Sequence, residues 1–408
     1  MANAAGAVRR GLGTVKRRLE TEGWRLATPI ALALLFGLVA AGPCAARTLE
    51  EALISTFPGP LSEDARGLAT VFSRTVAASF PVTGASSAYV YRFDPATDSF
   101  QRLNIPLGPV FSERAETIGR RKLSLALNYT LVQYDTIYGR DLDNLSSNDP
   151  RGPGDHIAVC ADSAGCEPVL GLARIDLEAQ IVSLSATYGV ARDLDVNVLL
   201  PLVRTYLRAS TTFTGPDPRM PSNPQFFPFA SSDHAAEAST GVGDLLLRLK
   251  YVLTRRGPAD VAAGLMLSLP TGGGEDFHGT GDTLAGAAVY ASHTYAERVE
   301  PHVNLAFVLD ADKFDRSQGR YSAGADVRLF DWLTLNTDVI GRSDIARPDS
   351  IEQPVFIQIE RADVLQFSTG LKVAPLRRTA VFFNALLPLN EAGLRSDRIL
   401  AFGIEAVF

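Results

Sequence analysis

Between residues 50 and 408 the sequence lacks any uncharged apolar run long enough to cross a bilayer as a helix, which takes about twenty residues. Yet 46% of the chain is hydrophobic and its mean hydropathy is +0.07, apolar for a water-soluble protein. That combination leaves a buried core or a barrel. Cysteine is scarce: three residues are too few for a disulfide scaffold, and no Cys-x-x-Cys pair suggests a structural zinc site. Positive charge is neither abundant nor clustered, the formal net charge being −6, so nucleic acid is not an expected partner. A Walker-type Gly-Lys-Ser/Thr and a Gly-x-Ser-x-Gly elbow are both absent. Candidate Ser/His pairs such as Ser292 with His293 and Ser232 with His234 give a hydrolase little support, because adjacent strand residues point to opposite faces.

What the sequence has instead is alternation. Leu123, Leu125, Leu127, Tyr129 and Leu131 alternate with Lys122, Ser124, Ala126, Asn128 and Thr130, a strand of membrane-spanning length with one apolar face. Similar strands are expected at 174–188, 193–207, 242–254, 259–270, 283–295, 301–310, 319–329, 332–342, 363–373, 380–389 and 398–408. The Ala and Gly content of 283–295 leaves either of its faces defensible. The connections 135–173, 209–241, 271–282, 311–318, 343–362 and 390–397 are loop-like, and those between them are short. A soluble sandwich has no reason to sort its connections this way; a barrel with both termini in the periplasm does. The expected fold is therefore all-β, a membrane-spanning antiparallel up-and-down barrel of about twelve strands over residues 121–408, with an N-terminal periplasmic or plug segment. The last strand ends on Phe408, a terminal aromatic resembling the signal that outer-membrane barrels present to their assembly machinery.

The first 46 residues read as a signal peptide, with basic residues from Arg9 to Arg25, an uncharged Leu/Ala-rich run from Leu26 to Ala41, and small residues permitting cleavage after Ala46. A retained anchor helix and a lipid-modified Cys44 are the alternatives. Residues 47–120 lack long alternation. Leu61, Ala65, Leu68, Val71, Phe72 and Val76 have near-helical spacing, and Ala88–Phe93 with Phe100–Leu103 predict a hairpin. This segment is either a plug inside the barrel or a periplasmic decoration.

The lumen-facing polar candidates are Asp176, Glu178, Asp195, Asn197, Arg248, Lys250, His302, Asn304, Asp326, Arg328, Asp338, Lys372 and Glu405. Asp195 and Asn197 should lie beside Arg248 and Lys250 of the neighbouring strand. Mixed charges on a lumen wall either satisfy one another and a plug, or line a polar pathway. Cys160 and Cys166 share one exported loop and are a disulfide candidate. Glu275, Asp276, His278 and Asp282 gather in a Gly-rich loop without regular metal-ligand spacing, which favours a solvated turn over a cation site. The prolines between Pro216 and Pro228 predict a stiff loop over the mouth. No catalytic, cofactor-binding or metal residues are assigned.

Several phrases resemble one family. Glu113–Gly119, Tyr188–Asp195, Leu200–Val203, Gly241–Leu245, Leu269–Gly272 and Pro301–Asn304 are similar, in order and spacing, to the outer-membrane transporter family labelled as a meta-pathway phenol-degradation protein. The resemblance covers roughly Ala88 to Phe408 and implies a barrel for uptake of aromatic or other hydrophobic compounds. Passive flow would need no cofactor. Expected partners are outer-membrane lipid, the barrel assembly machinery and a small hydrophobic or aromatic substrate, at the bacterial outer membrane. A structural or adhesive barrel, and an outer-membrane lipid hydrolase, are the competing functions.

Overall fold

The computed structural model describes residues 47–94, 99–147, 158–160, 166–216, 229–256, 258–346 and 361–408. Twelve antiparallel strands close into a barrel: β1 Leu123–Tyr134, β2 Leu170–Ala191, β3 Leu194–Gly215, β4 Leu245–Thr254, β5 Asp260–Leu269, β6 Leu284–Ser292, β7 Val299–Asp310, β8 Gln318–Phe330, β9 Leu333–Asp344, β10 Asp363–Leu376, β11 Thr379–Pro388 and β12 Ile399–Val407. Closure is the pairing of β12 with β1, from Ile399 opposite Val132 to Val407 opposite Ser124, which removes both sheet edges. Phe408 extends that seam: its N–H donates to Leu123 O at 2.8 Å while its side chain stays exposed.

One face of each strand builds the outer belt. Leu125, Leu249, Leu265, Val303, Leu305, Phe307, Phe383 and Phe402 are all exposed apolar residues on the outward rows. A soluble protein would bury such a surface; here lipid covers it. At the end with the short turns Tyr188, Tyr251, Phe330 and Trp332 are exposed, with Phe330 and Trp332 stacked at 5.6 Å, as an interfacial aromatic girdle requires. Short turns at that end and long connections at the other set the periplasmic and outer ends.

Two strands run well past the membrane. β2 and β3 are each 22 residues long, where about 9–11 suffice to span. The upper part of β3 then pairs with a rim strand, Phe229–Val242, from Leu202 opposite Val242 to Gly215 opposite Phe229. The expected loop 209–241 is thus largely sheet, and its proline-rich centre lies outside the described residues. The rim strand ends at the Gly243–Asp244 break, beside Pro201, which has no N–H for a ladder bond; Pro201 O instead accepts from Gly243 N at 2.8 Å.

Above the bilayer the polarity of the faces inverts, and this corrects the first two lumen candidates. On β2 the inward row reads Ile175, Leu177, Ala179 and Ile181, then Ser183, Ser185 and Thr187. Its lower half is polar because it meets an aqueous lumen or plug; its upper half is apolar because it meets a hydrophobic core. Asp176 and Glu178 therefore stand on the outward face, where Asp176 and Arg208, both well exposed, lie 3.8 Å apart. The rule that polar side chains face the lumen holds only where lipid is outside.

The core they frame comes from the N-terminal segment. Helix α1, Leu49–Ile54, begins with a capping box in which Thr48 and Glu51 each accept the other's backbone N–H at 3.2 Å. Helix α2, Ser62–Ser79, puts Ala65, Leu68, Phe72 and Val76 on one face. These pack with Leu53 and Phe57 against Ile175, Leu177, Val203, Leu207 and Phe213, all fully or almost fully buried. Each large side chain so buried contributes about 1.5–3 kcal/mol. A short hairpin, Tyr91–Asp94 with Ser99–Arg102, follows α2. The signal peptide expected over residues 1–46 lies outside the described residues.

Candidate functional site

Two proline-linked stretches carry the chain from the end of α2 down the lumen. Residues 81–94 and 99–119 contain no regular helix and only one short hairpin pairs within them, so most of their buried backbone groups need partners elsewhere. The wall supplies them. Ala88 N donates to both carboxylate oxygens of Glu405 at 3.0 Å, Leu107 N to Thr334 Oγ1 at 3.1 Å, Ala115 N to Ser292 Oγ at 3.0 Å and Ile118 N to Asp195 Oδ2 at 2.8 Å. Carbonyls are met in turn: Lys372 Nζ donates to Pro109 O at 3.0 Å, Asn336 Nδ2 to Gly108 O at 2.8 Å and Arg248 Nη1 to Thr83 O at 2.9 Å. Asn304 grips Glu113 from both sides, accepting its N–H at 2.7 Å and donating to its carbonyl at 2.8 Å, as a neighbouring strand would.

Charges close the same joint. Glu113 faces Lys250 at 3.2 Å and Arg248 at 3.7 Å. Burial alone would raise its carboxyl; the two cations, together with hydrogen bonds from Ser86 and the Ala85 N–H, outweigh burial and hold it below the ordinary carboxylate value. Arg114 is 1% exposed and donates to Pro106 O at 2.9 Å, with Glu300 at 3.4 Å. Gly108, at φ +76°, lets the chain turn around that guanidinium, since a Cβ there would overlap Arg114. Asp338 accepts from Ser112 Oγ at 2.7 Å and contacts His302 Nε2 at 2.6 Å.

The structure accordingly places Asp195, Asn197, Arg248, Lys250, His302, Asn304, Asp326, Asp338, Lys372 and Glu405 on the inner wall, most of them bonded to the N-terminal segment. Asp195 opposes Lys250 and Asn197 opposes Arg248 in register, with Arg248 Nε donating to Asn197 Oδ1 at 2.9 Å. Asp326 accepts from Asn336 and lies 3.8 Å from His302. Arg328 sits at the periplasmic rim, near Asn104 and 3.7 Å from Glu297. Cys160 and Cys166 are directly opposed Cα partners in a small ladder.

The Gly-rich loop is folded inward rather than solvated. Phe277 is fully buried against the α1–α2 core, Asp276 accepts the Leu49 N–H at 3.2 Å, and Asp282 binds Arg74 and, at 3.4 Å, Arg316. Asp276 and Asp282 thus take separate partners within the loop, while Asp282 gathers instead with Asp310 at the end of β7 and Asp312 just beyond it, their carboxylate oxygens within 4.8 Å of one another.

Between α2 above and the extended segment below, the barrel is hollow. Two cavities of about 210 and 230 Å³ flank Ala78–Val82 and share Phe80, Pro81, Val82, Arg320 and Arg342 in their linings. The first adds Ile181, Leu199, Leu246 and Met266; the second adds Phe111, Tyr134, Tyr290, Ile340 and Leu386. Sequence reasoning missed Arg320, Arg342 and Arg395, all lining the second cavity. The signal was available, because Arg320 shares the inward row of Asp326 on β8 and Arg342 that of Asp338 on β9. Burial, and then the neighbouring positive charge of Arg342, push Arg395 down to about 10.

Comparison with known proteins gives partial matches. Residues 169–334 match the family model described as "Putative MetA-pathway of phenol degradation". No curated protein matches the chain. Among solved structures, an outer-membrane channel from Pseudomonas putida F1 aligns with 73% of this chain and 99% of its own at 12% identity and a TM-score of 0.46. A FadL homologue from Pseudomonas aeruginosa aligns with 71% of this chain and 90% of its own at 10% identity and a TM-score of 0.33. The toluene transporter TodX of P. putida aligns with 71% and 89% at 12% identity and a TM-score of 0.34.

Proposed function

We propose that this outer-membrane barrel is a channel through which small hydrophobic or aromatic compounds diffuse passively, with the N-terminal segment as its gate. The observation that carries this reading is the pair of largely apolar cavities held inside the lumen, between a helix and an extended plug, where a purely structural barrel would be filled by side chains. The family description matched by residues 169–334 agrees with aromatic cargo. Flow down a gradient needs no bound cofactor, and passage requires the plug to leave the periplasmic half.

The test is entry of a radiolabelled aromatic compound into vesicles reconstituted with the full chain. Uptake well above that of empty vesicles is expected. Uptake no faster than empty vesicles would sink the channel reading and leave a structural barrel.

A further inference from the structure

The second cavity is apolar on most sides but cationic on one. Arg320 and Arg342 are directly opposed register partners on the inner faces of β8 and β9, and Arg395 reaches the same cavity from the outer connection before β12. Like charges directly opposite one another on a sheet are unfavourable, so the arrangement needs an explanation. Among the described residues, no carboxylate comes within ion-pair distance of any of the three.

Each guanidinium carries five N–H donors, and few are used. Arg342 Nη1 donates to Ala78 O at the end of α2, Arg395 Nη2 to Leu365 O at 2.6 Å, and Arg320 Nη2 reaches Gln318 Oε1 at 3.5 Å. The Nε atoms of all three are buried and without a hydrogen-bond partner. The helix cap accounts for one donor of Arg342 and leaves the facing pair of cations unexplained. Glu113, the acid bordering this cavity, is engaged with Lys250 and Arg248; Asp344, which lines the neighbouring cavity, attracts Arg342 from beyond ion-pair distance and accepts from the Ala362 N–H at 3.0 Å and from Gln318 at 3.2 Å.

We infer that this cavity binds the carboxylate of a small aromatic acid, held by the Arg320–Arg342 pair and Arg395, with its ring among Phe111, Tyr290, Ile340 and Leu386. Planar guanidinium forks match a carboxylate bidentately, and the apolar lining gives the ring a dry surface. The binding claim stands on the cavity alone; its meaning as cargo selectivity rests on the channel reading.

Calorimetry on the full chain in detergent, in phosphate-free buffer at neutral pH, tests it with benzoate and its neutral analogue benzamide. Benzoate is expected to bind roughly tenfold or more tighter, the worth of one charge-assisted contact. Arg320→Gln with Arg342→Gln should erase the preference, and Arg395→Gln, in a connection rather than a spanning strand, should reduce it even if the double variant does not fold. Arg320→Lys should retain part of it. Equal binding of the two compounds, or an unchanged preference in Arg395→Gln, would overturn the assignment; so would inorganic phosphate binding as tightly as benzoate. Vesicle uptake separates the two readings. Binding of benzoate without passage keeps the site and sinks the channel, whereas uptake of benzyl alcohol without any anion preference sinks the site and keeps the channel.

Discussion

The two halves of the lumen are held by opposite physics. Below, an extended segment docks by hydrogen bonds and ion pairs to a polar wall, with Glu405, Asp195, Asn304 and Lys372 each spent on a backbone group. Above, α1 and α2 dock by burying Leu53, Leu68, Phe72 and Val76 against the apolar upper rows of β2 and β3. The difference bears on gating. A polar joint exchanges its partners for water at modest net cost, about 1 kcal/mol per hydrogen bond, while an apolar joint costs most of its burial energy to open. The lower segment is therefore the better candidate for the moving part, and the helix pair for its hinge.

The harshest way to break this contrast is to remove both halves of the insert. Deleting Thr48–Ile118 should raise single-channel conductance several-fold, because both the extended segment and α2 leave the lumen. Planar-bilayer recording checks it; unchanged conductance would put the segment outside the conducting path.

Next in size is Glu113→Gln, which leaves Lys250 and Arg248 facing a neutral amide. Breaking a buried pair from one side costs about 3–5 kcal/mol, so the lower joint should loosen while the helix pair stays docked. Protection of residues 81–119 from limited proteolysis should fall, and that of 62–79 should not. Acid should mimic the variant. Because Glu113 sits below the ordinary carboxylate value of 4.5 when docked, its contribution is complete at neutral pH and disappears as pH falls through that lowered value. Opening of the lower segment confined to alkaline pH would contradict this.

A smaller effect concerns the outer loops. Cys160 and Cys166 oppose each other in register, and we expect them to be bridged in the exported protein. Alkylation before and after reduction, read by mass spectrometry, decides it: labelling of both without reductant would show free thiols. Neither outcome should alter conductance, since among the described residues the ladder they join pairs with no strand of the barrel.

The membrane part of the barrel was legible because lipid outside and a polar interior impose strict period-two alternation; strands such as 363–376 and 399–407 differ from expectation only at their ends. Asn197 beside Arg248 was legible for the same reason. The upper ends of β2 and β3 were not, since their apolar inward row depends on α2 being inside the barrel, a long-range fact with no local signature. Which polar groups meet the plug was equally hidden, because Glu113 and Arg114 lie in a segment without periodicity. The inward direction of Arg320 and Arg342 was legible from the rows they share with Asp326 and Asp338, but the apolar cavity they line was not, because it depends on α2 lying inside the barrel.

The finest test of the contrast sets two outward carboxylates against one inward carboxylate. Asp176 and Glu178 face water above the membrane, and the Asp176–Arg208 contact is too exposed to matter for stability. Asp176→Asn with Glu178→Gln should therefore change stability by no more than about 0.5 kcal/mol and leave conductance unaltered. Asp195→Asn should instead weaken the Ile118 N–H bond and leave Lys250 with one counter-charge fewer, at about 1–3 kcal/mol. The comparison is clean because all three residues are acids on two adjacent strands, β2 and β3, and differ mainly in which side of the sheet they occupy and at what height. Equal effects from the two sets would mean that the inversion of faces between Ile181 and Ser183 does not hold, and the upper sheet would then have to conduct through a polar interior.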